Sequence, residues 1–251
     1  MFNICNIIMK LIKLNTTDST NTYLMQLSKQ TVVDNWTVVT AEFQTLGKGQ
    51  MHNKWESEYG KNLITSALVL FEGLDVENQF YLNCAVSLGV LNALQDYNLP
   101  KLTVKWPNDI MAGNKKLGGI LIENSLKKKK IFQAVLGIGL NINQKTFSGH
   151  LLKAISMQQI LKKEVDREVV LRKIITSVKE EIKKVKSNNF ALLHKNYEEA
   201  LFKKDKVLMF ENADKKQFLA KVIGITIQGK LKLLDENKMV SEYNLKEIKF
   251  L

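Results

Sequence analysis

Hydrophobic positions along the chain change spacing several times, and each change predicts an element. Ile4, Ile7, Ile8, Met9, Leu11 and Ile12 form an apolar cluster that leads into a first strand about ten residues in, with Met9 an alternative start. The cluster is too short to span a bilayer, and with no basic residue ahead of it and Asn3 and Asn6 within it, it makes a poor signal peptide. Tyr23, Leu24 and Leu27 then follow Asp18 and Ser19, either of which suits the capping position of a helix. Trp36 to Phe43 is rich in β-branched and aromatic residues and predicts a strand, as does Asn62 to Phe71. Between them, Gln44 to Lys61 is a long polar loop carrying Gly47, Gly49 and Gly60.

Phe80, Cys84, Ala85, Leu88, Leu91 and Leu94 recur at helical spacing and predict a buried helix. Three strand-like runs come next: Leu102 to Trp106, Leu117 to Ile122 and Ile131 to Asn143. The turn-forming Ala112, Gly113 and Asn114 suggest that the first two are antiparallel neighbours. Val169, Val170, Ile174, Val178, Ile182 and Val185 mark an amphipathic helix with Asp166 as its cap, and a shorter helix covers Phe190 to Leu201. Beyond residue 202 the pattern becomes short alternating runs: Val207 to Phe210, Phe218 to Ile227, Lys230 to Leu234, Lys238 to Tyr243 and Ile248 to Phe250. Turn residues separate these runs, the spacing of a small β-barrel, which divides the chain into units 1–202 and 203–251.

Composition adds constraints. The 251 residues, 45% hydrophobic and 25% charged, suit an ordinary globular protein. Cys5 and Cys84 provide no disulfide framework and no metal-ligand spacing, which fits a reducing cytoplasm. The net charge of +12 raises the question of nucleic acid. Yet Arg167 and Arg172 are the only arginines, and lysine lacks the planar fork that favours bidentate phosphate and base contacts. The lysines are spread over Lys127 to Lys130, Lys162 to Lys163, Lys183 to Lys186 and Lys203 to Lys206, so a solvated surface explains them better than a DNA footprint.

Four segments carry candidate chemistry. Ser19, Thr20 and Asn21 read plainly as a helix start, and alternatively as short groups that hydrogen-bond a polar ring. Gly47 and Gly49 bracket Lys48, with Lys54 and Trp55 downstream. This is an ordinary turn, or a place where backbone and a lysine approach an anion. It is not a Walker A loop, and Gly137, Ile138, Gly139 lacks the third glycine of a dinucleotide fingerprint. The most specific run is Lys105, Trp106, Pro107, Asn108, Asp109, followed by Lys115, Lys116, Leu117, Gly118, Gly119, Ile120, Leu121, Ile122, Glu123. A core strand accounts for its Leu and Ile residues but not for the polar groups and paired glycines. His52, His150 and His194 have no motif context and read as surface or loop residues.

In order and separation these segments resemble the biotin protein ligases. That family has a Ser-Thr-Asn near the start, a glycine- and basic-rich loop ending in Lys-Trp, a Lys-Trp-Pro-Asn-Asp run, a Lys-Leu-Gly/Ala-Gly-Ile-Leu strand and a Gly-x-Gly-x-Asn strand. The motifs cover roughly residues 11 to 145. The resemblance implies an α+β fold: a mixed, largely antiparallel sheet with flanking helices, like that of class II aminoacyl-tRNA synthetases, plus a small C-terminal SH3-like barrel. It further implies that 1–202 is the catalytic unit, binding biotin and ATP.

Carried over residue by residue, the resemblance gives Ser19, Thr20, Asn21 and Gln44 to the ureido ring and pocket of biotin. Gly47, Lys48, Gly49 and Gln50 fall on the loop over biotin and the adenylate phosphate, and Trp55 on the aromatic that packs against adenine. Lys116 aligns with the lysine that contacts the biotin carboxylate and the α-phosphate. Asn108 and Asp109 lie near the reaction centre, and Gly137, Gly139 and Asn141 beside the nucleotide. One departure stands out: many members read Gly-Arg-Gly-Arg-Arg-Gly in the loop, where this chain has Gly47, Lys48, Gly49, Gln50, Met51, His52, so Lys48 keeps one charge while Gln50 and Met51 lose two guanidinium forks.

The implied reaction activates biotin with ATP, magnesium on the phosphates, and then passes biotin to a lysine of a biotin carboxyl carrier protein. Lys116 and Lys48 are the candidates to offset the repulsion between carboxylate and α-phosphate. Asp109 is the candidate to orient or deprotonate the incoming amine. The resemblance is to the monofunctional type, cytoplasmic, monomer or homodimer, without DNA or membrane partners, since about ten residues precede the first strand. Alternatives are a lipoate protein ligase, a regulator that binds biotinyl-AMP and represses DNA, and a biotinyl-AMP-binding module without transfer activity.

Overall fold

The computed structural model describes residues 10–50, 53–147, 149–151 and 153–251. The expectations for Cys5, Met9, Met51 and His52, and for the His150 side chain, lie outside the described residues.

The N-terminal sheet has seven strands. They are β1 (Leu11–Thr17), β2 (Val38–Gln44), β3 (Leu63–Asp75), β4 (Leu102–Lys105), β5 (Asp109–Ala112), β6 (Lys115–Lys127) and β7 (Lys130–Leu140), in spatial order β1-β2-β3-β7-β6-β5-β4. Only β1 and β2 run parallel; every other pairing is antiparallel. The helices are α1 (Thr20–Gln30), α2 (Gln79–Leu94), α3 (Met157–Leu161), α4 (Arg167–Lys186) and α5 (Phe190–Glu199).

Strand alternation sends successive side chains to opposite faces, and the core divides accordingly. Val38, Ala67, Ala134 and Leu136 face the layer of α2, α4 and α5, whereas Val39, Leu68 and Val135 pack with Leu24 of α1. Helix α2 is buried nearly all round because it lies between the sheet and α4. Helix α4 buries Val170, Ile174, Val178, Ile182 and Val185 along one stripe, and Asp166 caps it by accepting from the amides of Glu168 and Val169 at 2.8 and 3.1 Å.

Some expectations are corrected. The run Leu102 to Trp106 is not the neighbour of the Leu117 strand: the four residues of β5 lie between, and the turn at 112–114 joins β5 to β6. So short a strand, opening on Asp109, carries too little periodicity to stand out. Strand β6 reaches further at both ends than its apolar residues predict, whereas β7 stops at Leu140 rather than Asn143, and the two meet in a tight turn at Lys128 and Lys129, both with positive φ, in what reads as solvated surface. Helix α3 escapes notice because it is only five residues long. Finally, neither Asp18 nor Ser19 caps α1. Ser19 occupies the capping position without a side-chain bond, and Asp18 accepts from Thr45 Oγ1 instead.

Beyond α5, β8 (Val207–Asn212), β9 (Gln217–Ile225), β10 (Leu231–Asp235), β11 (Val240–Tyr243) and β12 (Ile248–Phe250) form one five-stranded antiparallel sheet, order β11-β10-β9-β8-β12. Its inner residues Phe210, Val222, Ile225, Leu231 and Leu233 are continuous with the main core. The two sheets meet where the Trp106 indole N–H donates to the Gly229 carbonyl at 2.8 Å. No described helix is long and apolar enough to cross a membrane.

Candidate functional site

On the α1 face of the seven-stranded sheet a cavity of about 220 Å³ opens between the start of α1, the glycine loop, and strands β3, β5, β6 and β7. Its floor is a closed hydrogen-bond system. The first helical amide, Thr20 N–H, donates not to a cap but to Gln44 Oε1 at the end of β2, 2.7 Å away. This satisfies a helix-start donor and leaves the Ser19 hydroxyl uncommitted to the helix. The Ser66 hydroxyl of β3 donates to Asn21 Oδ1 at 2.6 Å and lies 2.7 Å from Thr20 Oγ1. Asn21 Nδ2 in turn donates to Glu123 Oε2 at 2.7 Å. Ser19, Thr20, Asn21 and Ser66 are all buried, so the floor presents fixed, desolvated donors and acceptors.

The glycines of β7 are there because side chains from elsewhere occupy their faces. A Cβ on Gly137 would sit 2.4 Å from Asn21 Oδ1, and one on Gly139 would sit 2.6 Å from the Trp55 ring. Trp55 thus lies flat along the strand from a loop held by Trp55 N–H donating to the Gly47 carbonyl at 3.0 Å and Gly49 N–H to the Asn53 carbonyl at 2.7 Å. Trp55 Nε1 and Gln50 Oε1 are buried without a protein partner, and both residues line the cavity.

Lysines dominate the remaining wall. Lys48, Lys54 and Lys116 line it, and Asp109 is its one acidic residue among those described. Lys116 Nζ lies 2.6 Å from Asp109 Oδ1, with both side chains partly open to solvent. Lys116 and Gly119 are three apart and would ordinarily face opposite sides of a strand. The β5–β6 register shifts between Ile110 and Met111, so that Asp109 pairs with Gly119 but Met111 with Lys116. The extra residue, Leu117, is buried in the core, and the bulge turns Lys116 onto the cavity face. Nearby Lys105 is held below the ordinary lysine pKa, chiefly by burial; Asp109 opposes the shift and Lys153, Lys116 and Lys203 add to it.

Most residues singled out in the sequence meet here: Ser19, Thr20, Asn21, Gln44, Lys48, Gly49, Gln50, Trp55, Asn108, Asp109, Lys116, Gly137 and Gly139 all line the cavity. Gly47 and Asn141 do not. Gly47 is packed against the Trp55 carbonyl. Asn141, buried just past β7, stands behind the bulge: its backbone N–H donates to the Leu117 carbonyl at 2.8 Å, and Nδ2 lies 3.3 Å from the Ile155 carbonyl and 3.5 Å from that of Lys116. Asn108 spends its side-chain amide on the Ile120 carbonyl at 2.6 Å. Ser66 gives no signal in the sequence, being a small hydroxyl residue beside Thr65 in an otherwise apolar run. Nor does anything in residues 207–251 mark a site, yet Leu245 joins the lining. His194 is not a loop residue: it lies on α5, partly buried, with Nε2 3.4 Å from Glu198 Oε1.

A buried polar floor, a lysine-rich wall and a mixed, largely antiparallel sheet behind them make up the site. The model of the biotin/lipoate A/B protein ligase family matches residues 14–141, and the chain belongs to this family. Among curated relatives, the bifunctional ligase/repressor BirA of Bacillus subtilis is 26% identical over 212 residues, 82% of this chain and 63% of that protein. BirA of Escherichia coli strain K12 is 33% identical over 127 residues, 50% of this chain and 38% of that protein. The chain therefore spans less than two thirds of the length of these relatives. In three dimensions it is similar to the biotin protein ligase of Aquifex aeolicus in complex with biotin and ATP: TM-score 0.78, 28% identity, covering 96% of this chain and 98% of that one.

Proposed function

We propose that the protein is a biotin protein ligase, which converts biotin and ATP to biotinyl-5′-AMP and pyrophosphate and then transfers biotin to a lysine of a biotin carboxyl carrier protein. The observation that carries this reading is the joining, in one cavity, of a floor of Ser19, Thr20 and Asn21, braced from beneath by Ser66, to a wall of Lys48, Lys54 and Lys116. The similar Aquifex enzyme holds biotin and ATP, and both substrates are assigned to this chain. In this reading 1–202 is the catalytic unit and 203–251 a small appended barrel.

In the first step a carboxylate oxygen of biotin forms a bond to the α-phosphorus while the bond to the β-phosphate oxygen breaks and pyrophosphate leaves. Two anions must approach, and the ammonium groups of Lys116 and Lys48 lower that cost in a partly desolvated cavity. Magnesium enters with ATP as part of the substrate; no group of three or more His, Cys, Asp or Glu gathers among the described residues to hold it. In the second step the acceptor amine bonds to the acyl carbon and AMP departs with the electron pair of the anhydride bond. The amine must first lose a proton, and Asp109 is the wall residue able to take or orient it. Trp55, with its indole N–H unpartnered in protein, is assigned to the adenine side.

Incubation with biotin, ATP, magnesium and a biotin carboxyl carrier domain, followed by intact mass, tests the proposal. The acceptor gains one biotinyl group; an unmodified acceptor beside folded protein overturns it. Competition between biotin and lipoate in pyrophosphate exchange separates the two acids the family serves, with biotin expected to prevail.

A further inference from the structure

Asp109 and its neighbours form a narrow bridge between two layers. Toward the sheet, Asn108 is locked to Ile120 of β6 by two bonds, Nδ2 to the Ile120 carbonyl at 2.6 Å and Ile120 N–H to the Asn108 carbonyl at 3.1 Å. On the helical side Pro107 has no N–H to offer, and its carbonyl is the anchoring point. Two helices reach that one oxygen: the Tyr197 hydroxyl of α5 donates to it at 2.8 Å, and Asn83 Nδ2 of α2 donates to it as well. Both lone pairs of the carbonyl are thereby used.

Tyr197 is fully buried, its ring meeting Phe80 edge-on at 5.4 Å between centroids. Burial raises its phenol well above the ordinary value, with Cys84 and Asp109 adding to the shift, so the hydroxyl stays a donor at working pH. Neither Tyr197 nor Asn83 lines the cavity. Nothing in their sequence surroundings marks them.

We propose that Tyr197 and Asn83 are positioning residues for ligation: together they fix the Pro107 carbonyl, and through it hold the Asp109 carboxylate against Lys116. The proposal rests on the ligase reading above and extends it to two residues outside the cavity. Reacting groups lose rate steeply when displaced by fractions of an ångström, so a clamp on the backbone of Asp109 acts on turnover rather than on substrate affinity.

The test uses the full chain with Tyr197→Phe, which keeps the ring and removes only the donor, and with Asn83→Ala. Acceptor biotinylation is measured below the melting temperature, in the wild-type background and with Asp109→Asn. Each single variant is expected to lose on the order of tenfold in kcat, with the KM values for biotin and ATP nearly unchanged. In the Asp109→Asn background, Tyr197→Phe is expected to cost little more. A wild-type kcat in Tyr197→Phe overturns the proposal, as does a loss confined to KM. An undiminished further loss in the Asp109→Asn background also overturns it. Should Asp109→Asn leave too little turnover to measure, the division between kcat and KM in the single variants decides. A wild-type protein that does not ligate at all fails at the earlier reading and takes this one with it, an outcome distinct from an active enzyme indifferent to Tyr197.

Discussion

The Lys116 ammonium reaches the Asp109 carboxylate, 2.6 Å away, because Leu117 is an extra residue in the pairing of β5 with β6. Without that bulge, Leu117 would take the cavity side and Lys116 would be driven toward the core, since a one-residue slip exchanges the two faces of a strand. In the proposed reaction this contact aims both groups: the lysine at the two anions of the first step, the carboxylate at the amine of the second.

Lys116→Ala is expected to lower biotin-dependent pyrophosphate exchange by roughly a hundredfold or more, the scale of losing one charge-stabilising group. Asp109→Asn is expected to retain most of that exchange while slowing transfer from preformed biotinyl-AMP to the acceptor. Measuring the two steps separately checks both; a Lys116→Ala protein with normal exchange removes Lys116 from the first step.

Gly139→Ala puts a methyl group 2.6 Å from the Trp55 ring, with strand backbone behind it. The expected result is a destabilisation of about 1–3 kcal/mol, typical of overpacking, together with a raised KM for ATP. Trp55→Ala is expected to raise the same KM without the packing strain. Urea denaturation combined with steady-state kinetics in ATP distinguishes the two.

Ser66→Ala removes a buried hydroxyl that orders Thr20 and Asn21. A loss of about 1–3 kcal/mol follows from leaving Asn21 Oδ1 without its donor. Calorimetric titration is expected to show weaker biotin binding, with ATP affinity unaltered; undiminished biotin affinity would place the ring elsewhere.

Cys84 and Tyr197 both have folded-state pKa values raised chiefly by burial. Their stabilising contribution is complete below the unfolded values of about 8.5 for a thiol and 10 for a phenol, and is lost as pH climbs toward the raised folded values, because the folded state holds the protons longer. Stability measured in urea should therefore decline through the alkaline range. Cys84→Ala with Tyr197→Phe should flatten that decline, whatever its effect at neutral pH.

Much of the architecture was legible from residue spacing. The long strands and helices have strong periodicities that tertiary packing had no reason to override, and Asp166 caps α4 as its position predicts. What escaped was short or disguised: β5 has four residues, α3 has five residues, and lysines form the hairpin turn between β6 and β7. The missing caps of α1 are a different kind of miss. Ser19 and Asp18 have the right chemistry for capping, but Gln44, 24 residues further on, supplies the acceptor for the Thr20 amide.

By itself the sequence determined which groups were available: short hydroxyls and amides near residue 20, a lysine-bearing glycine loop, a Lys-Trp-Pro-Asn-Asp run and paired glycines. Each had a bland local reading, because local spacing limits what neighbours along a chain can do but says little about what meets across it. Only the tertiary structure decided that Asn21 fills the face of Gly137, that Trp55 covers Gly139 and that Ser66 joins the floor. It also decided that Asn141 supports the site from behind and that a bulge turns Lys116 toward Asp109. These are consequences of strand register and of close approach between elements that can lie more than a hundred residues apart, as Asn21 and Glu123 do at 102, and neither is written into any local pattern.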